Sequence, residues 1–283
     1  MASEIISLLN MKGGVGKTTL AVNLAYHMAY NAGKKVLLVD FDPQFNATQY
    51  TMRFDQFDSH RKTAGTIADL LIDQPILQAG KTRKKKDIRK IIFSLWENKN
   101  SGGKLDIVPA ELNLAFIVKN PAQMDSKLIK ILEPVSSFYD YIFIDCAPTD
   151  SVLTTMALNA SHYVLIPMRP DRFSILGYAN LRETINTFRE NCTNPNEVQE
   201  LGIVFTQVMG NSQIEAECIA EIQAAASSWS EYVFKSHLKY STSFARSIND
   251  RTPIFETAYA QQPAKQAAKD VAAEMVRRIA ALS

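Results

Sequence analysis

An apolar run, Ile5–Leu9, leads without a break into Asn10-Met-Lys-Gly-Gly-Val-Gly-Lys-Thr-Thr19, and nothing else in the 283 residues constrains the fold as tightly. A strand that empties into a glycine-rich turn and then a helix, with Gly-Lys-Thr at the junction, suits a polyphosphate. Gly13, Gly14 and Gly16 carry no side chain, so backbone N–H groups can approach an anion closely. Lys17 supplies a cation for the β and γ phosphates, and the Thr18 hydroxyl a ligand for Mg2+. The start of the following helix adds its partial positive charge. Residues 12–19, with Val15 and Thr19 completing the loop, are the candidate cradle for ATP.

The rest of the chain fits such a strand into a sheet. Short runs rich in β-branched residues recur at Val36–Val39, Leu105–Val108, Tyr141–Ile144, Tyr163–Ile166, Ile203–Phe205 and Tyr232–Phe234. Several are apolar throughout, as parallel strands covered on both faces are. Helical patterns are predicted between them near 18–32, 64–73, 122–134, 174–190, 213–228 and 262–282. Strand and helix in alternation predict an α/β fold, a doubly wound and mostly parallel sheet with helices on both faces. No linker rich in Pro, Gly or Ser divides the chain, so residues 1–283 read as one P-loop domain. An irregular, basic excursion is expected around 53–103, where Lys81, Arg83, Lys84, Lys85, Lys86, Arg89 and Lys90 crowd together.

Two further segments carry acids at strand ends. Val36-Leu-Leu-Val-Asp-Phe-Asp-Pro-Gln44 sets Asp40 and Asp42 where ligands bind in open α/β sheets, and Tyr141-Ile-Phe-Ile-Asp145 does the same for Asp145. The Asp145 carboxylate can hydrogen-bond a water in the shell of a hydrated magnesium ion. Either of the first two aspartates, taken alone, would serve equally as a turn cap.

The glycine loop departs from the ordinary pattern, with Met11 where a glycine is usual and Lys12 as an extra cation beside it. In this it resembles the deviant Walker A motif of the ParA/MinD/Soj family of ATPases, Lys-Gly-Gly-x-Gly-Lys-[Ser/Thr]. The Asp40-Phe-Asp-Pro-Gln-Phe-Asn46 segment is similar to that family's second motif, and Tyr141–Pro148 to its Walker B strand. The resemblance implies that Lys12 reaches the phosphates of a partner subunit across a nucleotide-sandwich dimer. It implies that Asp42 orients or deprotonates the attacking water, that Asp40 and Asp145 hold Mg2+ through water, and that Thr206 and Gln207 lie near the adenine.

Absences narrow the choice within the family. Cys146, Cys192 and Cys218 form no Cys-x-x-Cys pair, which argues against an iron–sulfur carrier and suits a reducing compartment. The alanine-rich end lacks the bulky apolar face of a membrane-surface helix, so no stable membrane anchor is expected. The chain opens on its first strand, unlike larger relatives with a helix-turn-helix extension. The resemblance is therefore to the small ParA/Soj-type partition ATPases. It implies a cytoplasmic, nucleoid-associated protein that forms a homodimer on ATP, binds DNA nonspecifically and is activated by a ParB-like partner.

The alternative is an ATP-gated positioning or regulatory protein that acts on a protein or membrane surface and not on DNA. The net charge of +2 leaves DNA affinity to local patches. Arg246 and Arg251, with Lys235 and Lys239 nearby, are the preferred contacts. The Lys81–Lys90 run suits a solvated face as well as it suits DNA.

Overall fold

The computed structural model describes residues 3–72, 86–119, 124–191 and 198–283. In chain order the strands are β1 Glu4–Leu8, β2 Lys35–Phe41, β3 Phe93–Glu97, β4 Lys104–Val108, β5 Tyr141–Cys146, β6 Tyr163–Met168 and β7 Gln199–Phe205. The helices are α1 Lys17–Tyr26, α2 Asn46–Thr51, α3 Phe54–Thr63, α4 Ile67–Leu71, α5 Ile88–Ile91 and α6 Ala115–Lys119. They continue as α7 Lys127–Ser136, α8 Val152–Ala160, α9 Arg172–Asn191, α10 Gln213–Ser228, α11 Thr242–Asp250 and α12 Gln262–Leu282. A π-helical turn, His27–Asn31, extends α1.

Among the described residues the strands form one sheet in the order β3-β4-β2-β5-β1-β6-β7. Every neighbouring pair is parallel except the β3–β4 edge. Alternate residues of each strand enter opposite cores, because side chains on a strand point to alternate faces. Ile5, Leu37, Val39, Ile142 and Ile144 pack beneath α7, α8 and α9. Ile6, Leu8, Val36, Leu38 and Phe143 pack beneath α1 and α12. The doubly wound α/β sheet expected from the sequence is present. Val271, Met275 and Ile279 of α12 are buried as their spacing requires.

One expectation changes. Tyr232–Phe234 is no strand; it touches the sheet through a single parallel bridge from Val233 to Ile203. Here Gly202 lies against the Tyr232 carbonyl so closely that a Cβ would meet its oxygen at 2.2 Å. The described residues of the 53–103 segment include α3, α4, α5 and β3. Residues Lys81, Arg83, Lys84 and Lys85 fall outside the described residues. Lys86 and Arg89 pair with Asp69 and Asp87, so their charges are partly met within the segment.

The register sets up the site. β5 lies between β1 and β2, and the Cα partners align Leu8 with Asp145 and Asp145 with Asp40. The end of the first strand and two carboxylates therefore share one line across the C-terminal edge of the sheet.

Candidate phosphate-binding site

The glycine loop is braced from both sides. Asn10 donates its amide to the Pro167 carbonyl at 2.9 Å and accepts from the Lys12 N–H at 2.9 Å, tying the start of the loop to β6. At the end of β7 the Thr206 hydroxyl donates to the Val15 carbonyl at 2.6 Å, and the Gln207 amide to the Gly14 carbonyl at 2.7 Å. In a trans peptide the N–H points opposite its carbonyl, so these two bonds turn the Val15 and Gly16 N–H groups away from β7. Gly14 at φ 74° and Gly16 at φ 82° make the turn possible, and Gly16 is the N-cap residue just before α1.

Lys17 is buried, and its ammonium donates to the Asn10 carbonyl at 2.8 Å and the Lys12 carbonyl at 3.1 Å. Burial lowers its pKa, against the opposing pull of Asp145. Thr18 donates its hydroxyl to one Asp145 oxygen at 2.7 Å. The other Asp145 oxygen is buried with no hydrogen-bond partner among the described residues. Burial raises the Asp145 pKa, and the negative charge of Asp40 adds to it.

A buried carboxylate with a free oxygen, bonded to a threonine hydroxyl at the foot of a phosphate loop, fits a hydrated magnesium ion. Among the described residues no group of three or more His, Cys, Asp or Glu side chains could hold a metal alone. The donor set therefore suits an ion carried in with phosphates and waters.

Asp42 lies just beyond β2 and lines a cleft of about 480 Å³ together with Gly13–Thr19, Asn46 and Gln207. It accepts from the Gln44 N–H at 2.8 Å, and burial raises its pKa. A larger groove of about 680 Å³ between α8 and α9 is lined by Asp125, Asp150 and Glu183, carboxylates that would repel a polyphosphate. Of the two, the smaller cleft is the one lined by Gly13–Thr19. Cys146 is buried, and burial followed by the Asp145 charge pushes its thiol up to about 12, so it is no nucleophile.

The other expected residues are placed differently. Asp40 is fully buried: one oxygen accepts from the Thr48 N–H and hydroxyl, each at 2.7 Å, and the other from the Asp42 N–H at 3.3 Å. Thr48 in turn accepts from the Ala110 N–H at 3.0 Å. Asp40 thus braces α2 against the sheet instead of facing the cleft. Thr206 and Gln207 hold the loop through the Val15 and Gly14 carbonyls.

Lys12 turns back on its own chain and meets both Asp171 oxygens at 2.6 and 2.7 Å, with its ammonium 5.7 Å from the Phe173 ring centre. Arg246 stands exposed on α11, while Arg251 lines the cleft. What the sequence reading missed is the α11 wall and Asp171. Asp171 sits in the Arg169-Pro-Asp-Arg-Phe segment after β6, and only its capping of Ser174 was visible in principle.

These features define a P-loop nucleotide-binding protein. A family model described as "AAA domain" matches residues 3–198. The chain is 31% identical over 223 residues to the sporulation initiation inhibitor protein Soj of Bacillus subtilis, covering 78% of this chain and 79% of Soj. It is 32% identical over 222 residues to the chromosome partitioning protein ParA of Myxococcus xanthus, covering 78% and 70%. Its fold superimposes on an ATP complex of Cyanothece McdA with a TM-score of 0.76, 19% identity and 97% coverage of each chain. The chain belongs to the ParA/MinD/Soj family of P-loop ATPases.

Proposed function

We propose that the protein is an ATP-hydrolysing switch of the ParA type. It binds ATP with Mg2+, dimerises, binds duplex DNA without sequence preference and partitions a plasmid, chromosome region or other cargo with a ParB-like partner. The whole chain acts as one ATPase unit at the nucleoid. The observation that carries this reading is the convergence of Lys17, Thr18 with Asp145, and Asp42 on one glycine-lined cleft.

Phosphoryl transfer depends mostly on positioning and charge stabilisation. Lys17 offsets phosphate charge, and Asp42 positions the attacking water. Thr18 and the free oxygen of Asp145 would hold Mg2+, which supplies charge neutralisation at the phosphates when bound. Lys12 exchanges Asp171 for the phosphates of a second subunit. Phe173 and Leu176, 77% and 72% exposed beside it, support a surface that a second copy covers. Arg246, Lys235 and Lys239 are the cations offered to DNA.

The test is Mg2+-dependent ATP hydrolysis by the purified protein, with light scattering of Asp42→Ala at saturating ATP. The variant is expected to bind ATP, double its mass, and hydrolyse roughly 10²–10⁴-fold more slowly. Near-normal turnover would remove the water-positioning role from Asp42. A monomer under saturating ATP would refute the sandwich. A dimer without DNA affinity at low salt would favour action on a protein or membrane surface.

A further inference from the structure

The end of α11 forms part of the phosphate cleft. Ile248, Asn249 and Arg251 line it together with the glycine loop, Gln49 and Tyr50. Buried hydrogen bonds fix this turn to the loop's own helix. Asn23 of α1 donates to the Thr19 carbonyl at 2.8 Å and to the Tyr50 hydroxyl at 3.1 Å, and accepts from the Ile254 N–H at 2.8 Å. Tyr50 is hydrogen-bonded to Ser247, whose hydroxyl donates to the Thr252 carbonyl at 2.6 Å. Residues 247–254 are therefore held rigidly against the first turns of α1.

Within that rigid turn Arg251 is unusual. It closes α11 in the left-handed region, at φ 51° and ψ 38°, a conformation that favours glycine at a helix end. Its side chain makes no ion pair or hydrogen bond among the described residues. By contrast Arg53, Arg61, Arg89, Arg182 and Arg189 each pair with a carboxylate. Even the adjacent Asp250 is engaged by Asn249, at 3.2 Å, and not by Arg251. An exposed, unpaired guanidinium on the wall of a cleft that Gly13–Thr19 also line has one obvious complement, a phosphate.

We infer that Arg251 is a phosphate-binding residue of the nucleotide site, contacting the polyphosphate from the α11 side of the cleft. The inference rests on the proposed ATP binding and adds a cation that the glycine loop does not contain. It removes Arg251 from the set of DNA contacts. It also makes α11 a direct reporter of nucleotide, because the helix that carries Arg246 ends on the residue that grips the phosphates.

The experiment measures ATP binding by isothermal titration, and competition by inorganic tripolyphosphate, for wild type, Arg251→Gly, Arg251→Lys and, as a control on the exposed face of α12, Arg277→Ala. Glycine suits the left-handed turn, so the first variant should fold at least as well as wild type, checked by thermal melting. Loss of a charge-assisted phosphate contact should weaken ATP about 10- to 100-fold in Arg251→Gly. Tripolyphosphate competition should weaken alongside it. Arg251→Lys should recover part of both, and Arg277→Ala should match wild type.

Unchanged ATP affinity in Arg251→Gly, with tight binding by wild type, would overturn this inference alone. Weakened ATP binding with tripolyphosphate competition intact would also overturn it, by pointing to the base or ribose. If wild type itself bound no ATP, the proposed function would fall with it.

Discussion

Asp171→Asn isolates the role of Lys12. In the structure the Lys12 ammonium lies between both Asp171 oxygens, and the two side chains are 31% and 30% exposed. Desolvation lifts the Asp171 carboxyl, but hydrogen bonds from Lys12 and Ser174 outweigh it and hold its pKa below the usual value. Asparagine keeps an oxygen for the Ser174 N–H and is as good a helix cap, so α9 should start unchanged. What disappears is the charge that holds Lys12 to its own subunit.

A pair this exposed is worth about 0.2–1 kcal/mol once solvent screening is counted. A dimer releases two such pairs, so freeing them should favour the ATP-bound dimer by about 0.4–2 kcal/mol. That is roughly a 2- to 30-fold lower dissociation constant. The assay is sedimentation across protein concentrations with Asp42→Ala and Asp42→Ala/Asp171→Asn, each at saturating ATP and low salt. The shift should shrink in high salt, which already screens the pair. An unchanged or weaker dimer at low salt would show that Lys12 does not leave Asp171 to reach across the interface.

Three other outcomes follow from the same geometry. Asp145→Asn should raise the melting temperature of the nucleotide-free protein at pH 8 by a few degrees and abolish its further rise with Mg2+ and ATP. The sign follows from burial raising the Asp145 pKa above its ordinary 3.8: the unfolded chain ionises first, so stability falls as pH climbs from there, and the gain should vanish near pH 4. Gln207→Ala removes the donor that holds the Gly14 carbonyl, and should weaken ATP by about 3- to 10-fold in a titration while leaving DNA binding by the saturated dimer intact. For DNA, Arg246→Ala with Lys239→Ala should flatten the log affinity against log salt plot by about 0.9 for each phosphate no longer neutralised. Lys86→Ala with Arg89→Ala should not, since both cations already pair with Asp69 and Asp87.

The phosphate loop was legible because everything it needs is local. Strand, glycine turn, lysine and helix start are contiguous, and each residue type has a separate physical reason to be there. The strands beneath it were legible where they are buried on both faces. β3 was not: Phe93-Ser-Leu-Trp-Glu97 is a half-exposed edge strand, and a register irregularity between Ser94 and Trp96 breaks its alternation. α8 escaped for the opposite reason, since Val152–Ala160 is buried nearly all round and shows no amphipathic period.

The aspartates show where local reading stops. Asp40 and Asp42 look equivalent in the sequence, two places apart beside Pro-Gln. Yet Asp40 lies within β2 and meets Thr48 as α2 folds back over the strand, while Asp42 has left the strand and opens into the cleft. Which of the two is spent on structure depends on where a threonine eight residues later comes to lie, and no spacing rule contains that.

Arg246 and Arg251 make the same point in reverse. Five residues on a helix turn through about 500°, which leaves the two side chains about 140° apart, so they never shared a face. Adding the left-handed turn at Arg251 leaves one arginine on the outer surface of α11 and sets the other on the wall of the cleft. The residues that link α11 to the helix after the glycine loop, Asn23, Tyr50 and Ser247, come from three helices far apart in the chain and carry no motif of their own. The attachment of α11 to the cleft is therefore a feature that only the folded chain reveals. It lies in pairings between elements, which a single sequence does not specify.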